Sequence, residues 1–474
     1  MFWGRGARRL RSKLEYGEQR TLLVKRSGSG HKGAGTLALA GVVALVVAMV
    51  AITVATRPTA PTAQVTLGRD AAELGPATSA TEQSLEQFWE ARLPAVYKRD
   101  FSPLKGGYQP KTPQSPPFSC NGQRQTYDDL LGNAFYCGGP NDDYIAWDAA
   151  MLMPELDNRF GGIAPAVVLA HEMGHAVQRR AGVVEPSVVQ ELQADCFAGS
   201  WVRYAETSGD DPVALSDGAL DSAIATILTL RDQPGTPATT PQAHGLGFDR
   251  VNAFQTGYED SAQACAQFAN QGVVTTELPF RTVTEAQTGG NLPFSQAVGF
   301  LAGQLDSFWT QALPKMVPGK PFEAPARQPV DQGPLPDCAR LDGMDAVSGY
   351  CPDTRAVMWV VPALEEAHQL VGDMATGAAL SEAWGIAAQT EAGLPATGRG
   401  PGLQRDCFTG AWVSALAAGG LEQSLLSPGD IDEVLSMIVG TSFSPSGDRV
   451  DRGGAFDRTK AFRQGLFEGL PSCH

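Results

Sequence analysis

Histidine is scarce in this chain of 474 residues, with only six present. No Cys-x-x-Cys pair occurs, so a thiolate zinc site has no support. No phosphate-cradling glycine motif stands out in a strand–helix context, and nothing supports nucleotide, flavin or haem binding. Charged residues are only 18% and the net charge is −15. That excludes sequence-general nucleic-acid binding, which needs a basic face. What is present is ordinary globular material. Hydrophobic residues reach 43%, which excludes a disordered chain. The length implies about three domains, or two large ones. The 53 glycines and 33 prolines imply many loops.

Charge is unevenly spread. Residues 1–32 hold nine Lys/Arg against Glu15 and Glu18, a net +7 that leaves −22 for the remainder. An uncharged, apolar run of 21 residues follows, Thr36–Thr56. At about 1.5 Å per residue it matches a hydrocarbon core of about 30 Å. The run is apolar on every face, which argues against a buried soluble helix. It reads as a single transmembrane anchor, and the preceding basic segment (1–35) predicts a cytoplasmic N-terminus at the cell membrane. A cleaved signal peptide is the rival reading, although its apolar stretch would be about 7–15 residues. The protein after residue 56 is then extracytoplasmic. Residues 57–85, rich in Pro, Thr and Ala near the anchor, read as a linker.

All eight cysteines follow the apolar run: Cys120, Cys137, Cys196, Cys265, Cys338, Cys351, Cys407 and Cys473. Their gaps are 17, 59 and 69 in the first set and 13, 56 and 66 in the second. Local sequence repeats with them. Asp195-Cys-Phe-Ala-Gly-Ser-Trp201 matches Asp406-Cys-Phe-Thr-Gly-Ala-Trp412, Phe88-Trp89 matches Phe308-Trp309, and Phe248-Asp-Arg250 matches Phe456-Asp-Arg458. Two tandem homologous domains are expected, 86–270 and 295–474, joined by a linker at 271–294. The matched spacing predicts Cys120–Cys137 with Cys196–Cys265, and Cys338–Cys351 with Cys407–Cys473. Eight buried free thiols are the alternative.

Two of the six histidines stand four apart, in His171-Glu-Met-Gly-His175. The residues before them are apolar and helix-compatible, and Gly182 is a plausible stop. On a helix, positions four apart share a face, so both imidazoles can meet one ion. Glu172 beside them can take a proton from a water that the metal activates. A catalytic zinc needs a third ligand. Glu191 and Asp195, also four apart on the next helical segment, supply candidates. Glu191 reads as the ligand and Asp195 as the carboxylate that orients a histidine from behind; the reverse assignment stays open. His244 could donate to an oxyanion, act as a fourth ligand, or be an ordinary loop histidine. Tyr144–Asp148 reads as a short strand, either structural or a site where an extended substrate docks.

At HEMGHAVQ followed by ELQADCFAG, residues 86–265 resemble the putative neutral zinc metallopeptidase family of bacterial membrane-anchored proteins. They are similar also to the wider gluzincins, which combine HExxH with a downstream Glu-x-x-x-Asp. The resemblance implies one zinc held by His171, His175 and Glu191. It implies Glu172 as the base and acid, Asp195 supporting the first histidine, and a downstream histidine, for which His244 is the candidate, steadying the transition state.

The second half keeps the framework and loses the ligands. Aligning Leu169–Gln178 on Leu380–Gln389 puts Glu382, Ala383 and Ile386 where His171, Glu172 and His175 stand, and Gly402 in place of Glu191. Asp406 persists. His368 falls before the motif, and His474 reads as a solvated end. The expected fold class is α+β: mainly helical domains with small sheets, after the membrane helix. The expected function is a membrane-anchored, extracytoplasmic zinc metallopeptidase acting on a peptide or protein. The lipid bilayer would be a partner through the single anchor, and the second half has room for a protein partner. The alternative is an envelope binding or scaffold protein in which the second half captures that partner. Amide hydrolysis of wall material is a third reading, with no recognisable wall-binding segment behind it.

Overall fold

The computed structural model describes residues 71–473, except 210, 217, 241–242, 274, 277, 342–345, 420–425 and 443–451. The apolar run Thr36–Thr56 lies outside the described residues. Among the described residues no helix is long and apolar enough to cross a membrane. The chain is mixed α and β, mainly helical with small sheets. It divides into two compact units at residue 277.

In the first unit, α1 (Ala71–Tyr97) begins within the segment read as a linker, so residues 71–85 are helical. Its buried stripe of Leu85, Phe88, Trp89 and Leu93 follows helical spacing. Trp89 meets Phe197 edge to face at 4.9 Å. The Trp201 indole N–H donates to Ser84 Oγ at 2.8 Å.

A three-stranded sheet follows, from β1 (Gly107–Lys111), β4 (Ala134–Gly138) and β5 (Asp143–Asp148). Its order is β1-β5-β4, with β1 parallel and β4 antiparallel to β5. The central strand is buried along Tyr144–Asp148, which is why its sequence shows no polar alternation. A separate hairpin joins β2 (Phe118–Cys120) and β3 (Gln123–Gln125). Asn121 and Gly122 turn it at φ 51° and 76°, left-handed values that this residue pair tolerates. Asp148, at the end of β5, accepts the Tyr127 hydroxyl and the amides of Gly132, Ala150, Met151 and Leu152. One buried carboxylate thus ties the turn that enters β4 to the turn that leaves β5, at one end of the sheet.

The longer helices after the sheet are α2 (Leu152–Phe160), α3 (Ile163–Ala181), α4 (Ser187–Thr207), α5 (Ala219–Thr229) and α6 (Gly247–Asp260), beside short helical turns at Tyr127–Leu130, Ala262–Ala266 and Phe268–Gln271. Gly182 ends α3 in the left-handed region, and its N–H meets the carbonyls of Gln178 and Arg179, as the stop signal predicts. Gly174 lets α3 and α4 touch. A β-carbon there would lie 2.9 Å from the Ala194 α-carbon. Gly257 does the same between α6 and α4, against the Cys196 carbonyl.

The second unit contains α7 (Phe294–Met316), β6 (Ala326–Val330), β7 (Ser348–Cys351), β8 (Ala356–Val360), α8 (Val361–Leu370), α9 (Asp373–Ala392), α10 (Arg399–Ala417), α11 (Asp430–Gly440) and α12 (Ala455–Glu468). Its sheet order is β6-β8-β7, with β6 parallel and β7 antiparallel to β8. Trp309 meets Phe408 edge to face at 5.0 Å. Gly465 lies against the Cys407 carbonyl.

The disulfides are Cys120–Cys137, Cys196–Cys265, Cys338–Cys351 and Cys407–Cys473, the pairing that the repeated spacing predicts. No described cysteine is free.

Candidate metal centre

The HExxH segment lies in the middle of α3, and Glu191 and Asp195 lie one turn apart on α4. The close approach at Gly174 brings these two faces together. His171 Nε2 is 3.1 Å from Glu191 Oε2 and 3.2 Å from His175 Nε2. His175 Nε2 is 3.3 Å from Glu191 Oε1. A tetrahedral zinc with bonds of about 2.0–2.1 Å separates its ligand atoms by about 3.3–3.4 Å. The three side chains therefore fit the ion by spacing as well as by donor type. His244 is not part of this group.

Each imidazole is held from behind. His171 Nδ1 lies 2.8 Å from Asp195 Oδ1. Asp195, fully buried, also accepts Arg250 Nε at 2.7 Å and Nη2 at 2.9 Å. The remaining Arg250 nitrogen donates to the Leu230 carbonyl. His175 Nδ1 lies 2.9 Å from Gln178 Oε1. With both Nδ1 atoms so engaged, both Nε2 atoms face Glu191 and are the ones left to a metal ion. Asp195 thus lies on the Nδ1 side of His171 and Glu191 on its Nε2 side.

The electrostatics of the cluster call for positive charge. Burial would push His171 down, but Asp195 and Glu191 outweigh it and raise it to about 10. Burial likewise opposes protonation of His175, and Glu191 overcomes it. Burial would raise Glu191, yet the two histidines hold it well below the usual carboxylate range. A bound cation would take the place of those protons.

Glu172 is buried, and burial pushes its carboxyl up. Its Oε2 accepts the Tyr136 amide at 2.7 Å. That amide belongs to β4, whose outer edge therefore runs past the centre. The central strand β5 has neighbours on both sides. Tyr144–Asp148 is consequently structural and cannot add an extended peptide; β4 carries the edge beside Glu172.

His244 lies in the loop before α6. Its ring Nδ1 is 3.2 Å from Asp232 Oδ1, and the Asp232 carboxylate also accepts the amides of His244 and Gly245. The imidazole side chain is 54% exposed. Gly245 packs beside Val188 and Leu192 of α4, the helix that carries Glu191.

Asp232, Arg250, Gln178 and the Tyr136 amide are absent from the sequence-based site. A signal existed for Arg250, because Phe-Asp-Arg recurs at Arg458. In the second unit Arg458 Nε and Nη2 donate to Asp406 at 2.8 and 2.9 Å. There Arg405 lies across Gly385 and donates to Glu382 at 2.6 Å, and Arg452 binds the same carboxylate. A second acidic group, Asp373, Asp430 and Glu433, is buried in that unit. It offers no nitrogen ligand, and its carboxylates accept the amides of Leu292, Ser427 and Met374.

Residues 17–268 match the family described as "Putative neutral zinc metallopeptidase". The chain belongs to this family. Among its relatives, the uncharacterized protein Rv2575 of Mycobacterium tuberculosis (strain ATCC 25618 / H37Rv) is 29% identical over 207 residues, covering 38% of this chain and 65% of that protein. The uncharacterized protein YpfJ of Escherichia coli (strain K12) is 29% identical over 153 residues, covering 27% of this chain and 52% of that protein. The chain thus spans less than two thirds of either relative. No solved structure matches.

Proposed function

We propose that this family member is a zinc-dependent peptidase, anchored in a membrane by residues 36–56 and working outside the cytoplasm. The carrying observation is the convergence of His171 Nε2, His175 Nε2 and Glu191 beside a buried Glu172. Bound there, zinc would polarise a scissile carbonyl and acidify water. Glu172, steadied by the Tyr136 amide, accepts the proton of the attacking water and returns it to the leaving amine. His244, oriented by Asp232, donates a hydrogen bond to the oxyanion. The substrate is an extended peptide lying along the outer edge of β4. Four disulfides and the basic segment before the apolar run support the extracytoplasmic placement.

The second unit is read as a degenerate, metal-free copy. The shared strand order, the paired disulfides and the Asp–Arg pairs support this, and the Arg405 guanidinium beside Glu382 supplies the positive charge that a metal would bring. One observation favours a binding role for this half: it keeps a complete scaffold around a position without ligands. In that reading the second half captures a protein partner.

The test uses the full chain in detergent, as wild type and Glu172→Gln. About one zinc per chain in both, with a peptide library cleaved by the wild type alone, is the expected result. Undiminished hydrolysis by Glu172→Gln would overturn the assignment of the base.

A further inference from the structure

We infer that Gln178 is a positioning residue that fixes the tautomer of His175 and thereby sets metal affinity; this rests on the metal-site reading above. Gln178 is buried on α3, one turn beyond His175. Its Nε2 donates to the Gln190 carbonyl at 2.6 Å. A carbonyl can only accept, so the amide has one orientation and Oε1 must face His175. Oε1 can only accept in turn, so the hydrogen sits on His175 Nδ1, 2.9 Å away. The Nε2 lone pair is thereby left to the metal. Gln190 precedes Glu191. One side chain therefore links the second histidine ligand to the backbone next to the third ligand, and sets α3 in register with α4.

The second unit separates these two jobs. Gln389, which aligns with Gln178, donates to the Pro401 carbonyl at 3.0 Å, and Pro401 aligns with Gln190. That link between helices persists where no histidine follows. Its Oε1 instead accepts Arg405 Nη1 at 2.9 Å. The donor half of the amide belongs to the scaffold. The acceptor half belongs to the centre, because its partner changes with the ligand set.

The experiment measures zinc affinity of the full chain by competition with a chelator, and thermal unfolding of the metal-free form. Gln178→Met removes both halves. Affinity should fall about 10–100-fold, the usual effect of losing the group behind a ligand histidine, and metal-free stability should fall too. Gln178→Glu keeps an acceptor and loses the donor. Affinity should stay within about threefold of wild type while metal-free stability drops, as the threefold bound is well under the usual loss. Gln389→Met should lower stability and leave affinity unchanged. Wild-type affinity in Gln178→Met would overturn the inference, as would an equal affinity loss in Gln389→Met. If Gln178→Met does not fold, Gln178→Glu decides: an affinity loss matching that expected for Met overturns the proposal. Absence of zinc binding by the wild type would instead remove the metal reading on which all this rests.

Discussion

Replacing Gly174 by alanine should harm the first unit, although the same exchange elsewhere on a helix helps. In a helix interior, Gly→Ala is favourable by about 0.5–1 kcal/mol because the unfolded chain loses freedom. At Gly174 the new β-carbon would stand 2.9 Å from the Ala194 α-carbon and 3.0 Å from its β-carbon. Carbon atoms settle at about 3.5–4.0 Å, so α3 and α4 must part by roughly 0.6–1 Å. Neither obstacle is the flexible end of a side chain. Overpacking of this kind costs about 1–3 kcal/mol, which leaves a net loss of about 0–2.5 kcal/mol. At about 2–4 °C per kcal/mol for a unit of this size, the melting temperature falls by up to about 10 °C. The ligands sit on the parted helices, so the 3.1 Å separation of His171 and Glu191 widens. Zinc affinity should therefore drop at least about tenfold, since metal sites tolerate distance errors of only about 0.2 Å. The control is Gly299→Ala on α7, where the β-carbon meets nothing within 4 Å. It should raise stability by about 0.5–1 kcal/mol. Calorimetry and chelator competition on both variants check the pair. Unchanged affinity and stability in Gly174→Ala would refute the close-approach argument.

Further outcomes follow from other contacts. His244→Ala should retain zinc and lower kcat by about 10²–10³-fold, the effect of losing one oxyanion donor, with Asp232→Asn losing less; full activity in His244→Ala would remove the residue from catalysis. Replacing Cys196 and Cys265 together by alanine opens a 69-residue span and should cost about 2–4 kcal/mol, read as a lower melting temperature of the first unit; an unchanged melting temperature would contradict this. Burial, then neighbouring carboxylates, holds Asp430 and Glu433 well above the usual carboxylate range. The folded unit keeps protons there that the unfolded chain releases from about pH 4 upward. Their contribution is thus complete below that pH and lost as pH rises. Asp430→Asn, which can still accept the Ser427 amide, should raise the melting temperature of the second unit at pH 8 and change it little at pH 4; a lower melting temperature at pH 8 would contradict the sign.

The parts legible in the sequence are those carried by local periodicity. His171 and His175 share a face because four residues make about one turn, and Gly182 stops the helix because glycine enters the left-handed region cheaply. The disulfide pairs followed from a repeat of spacings. What stayed hidden depends on distant segments meeting. Arg250 reaches Asp195 across 55 positions and Asp232 reaches His244 across a proline-rich loop. Gln178 was inside the quoted motif, yet its partner Gln190 lies on another helix. The centrality of β5 depends on β1, a strand more than thirty positions earlier that pairs in parallel. No local pattern distinguishes a central strand from an edge when both are short and largely apolar. Gly174 was visible only as a motif letter, and its purpose appears once Ala194 is seen against it.

The most direct measurement is the zinc content of the purified full chain, compared with His171→Ala and Glu191→Ala. One zinc per wild-type chain, lost or sharply weakened in both variants, is the predicted result. Zinc retained at wild-type affinity by either variant, or none bound by the wild type, would contradict the account.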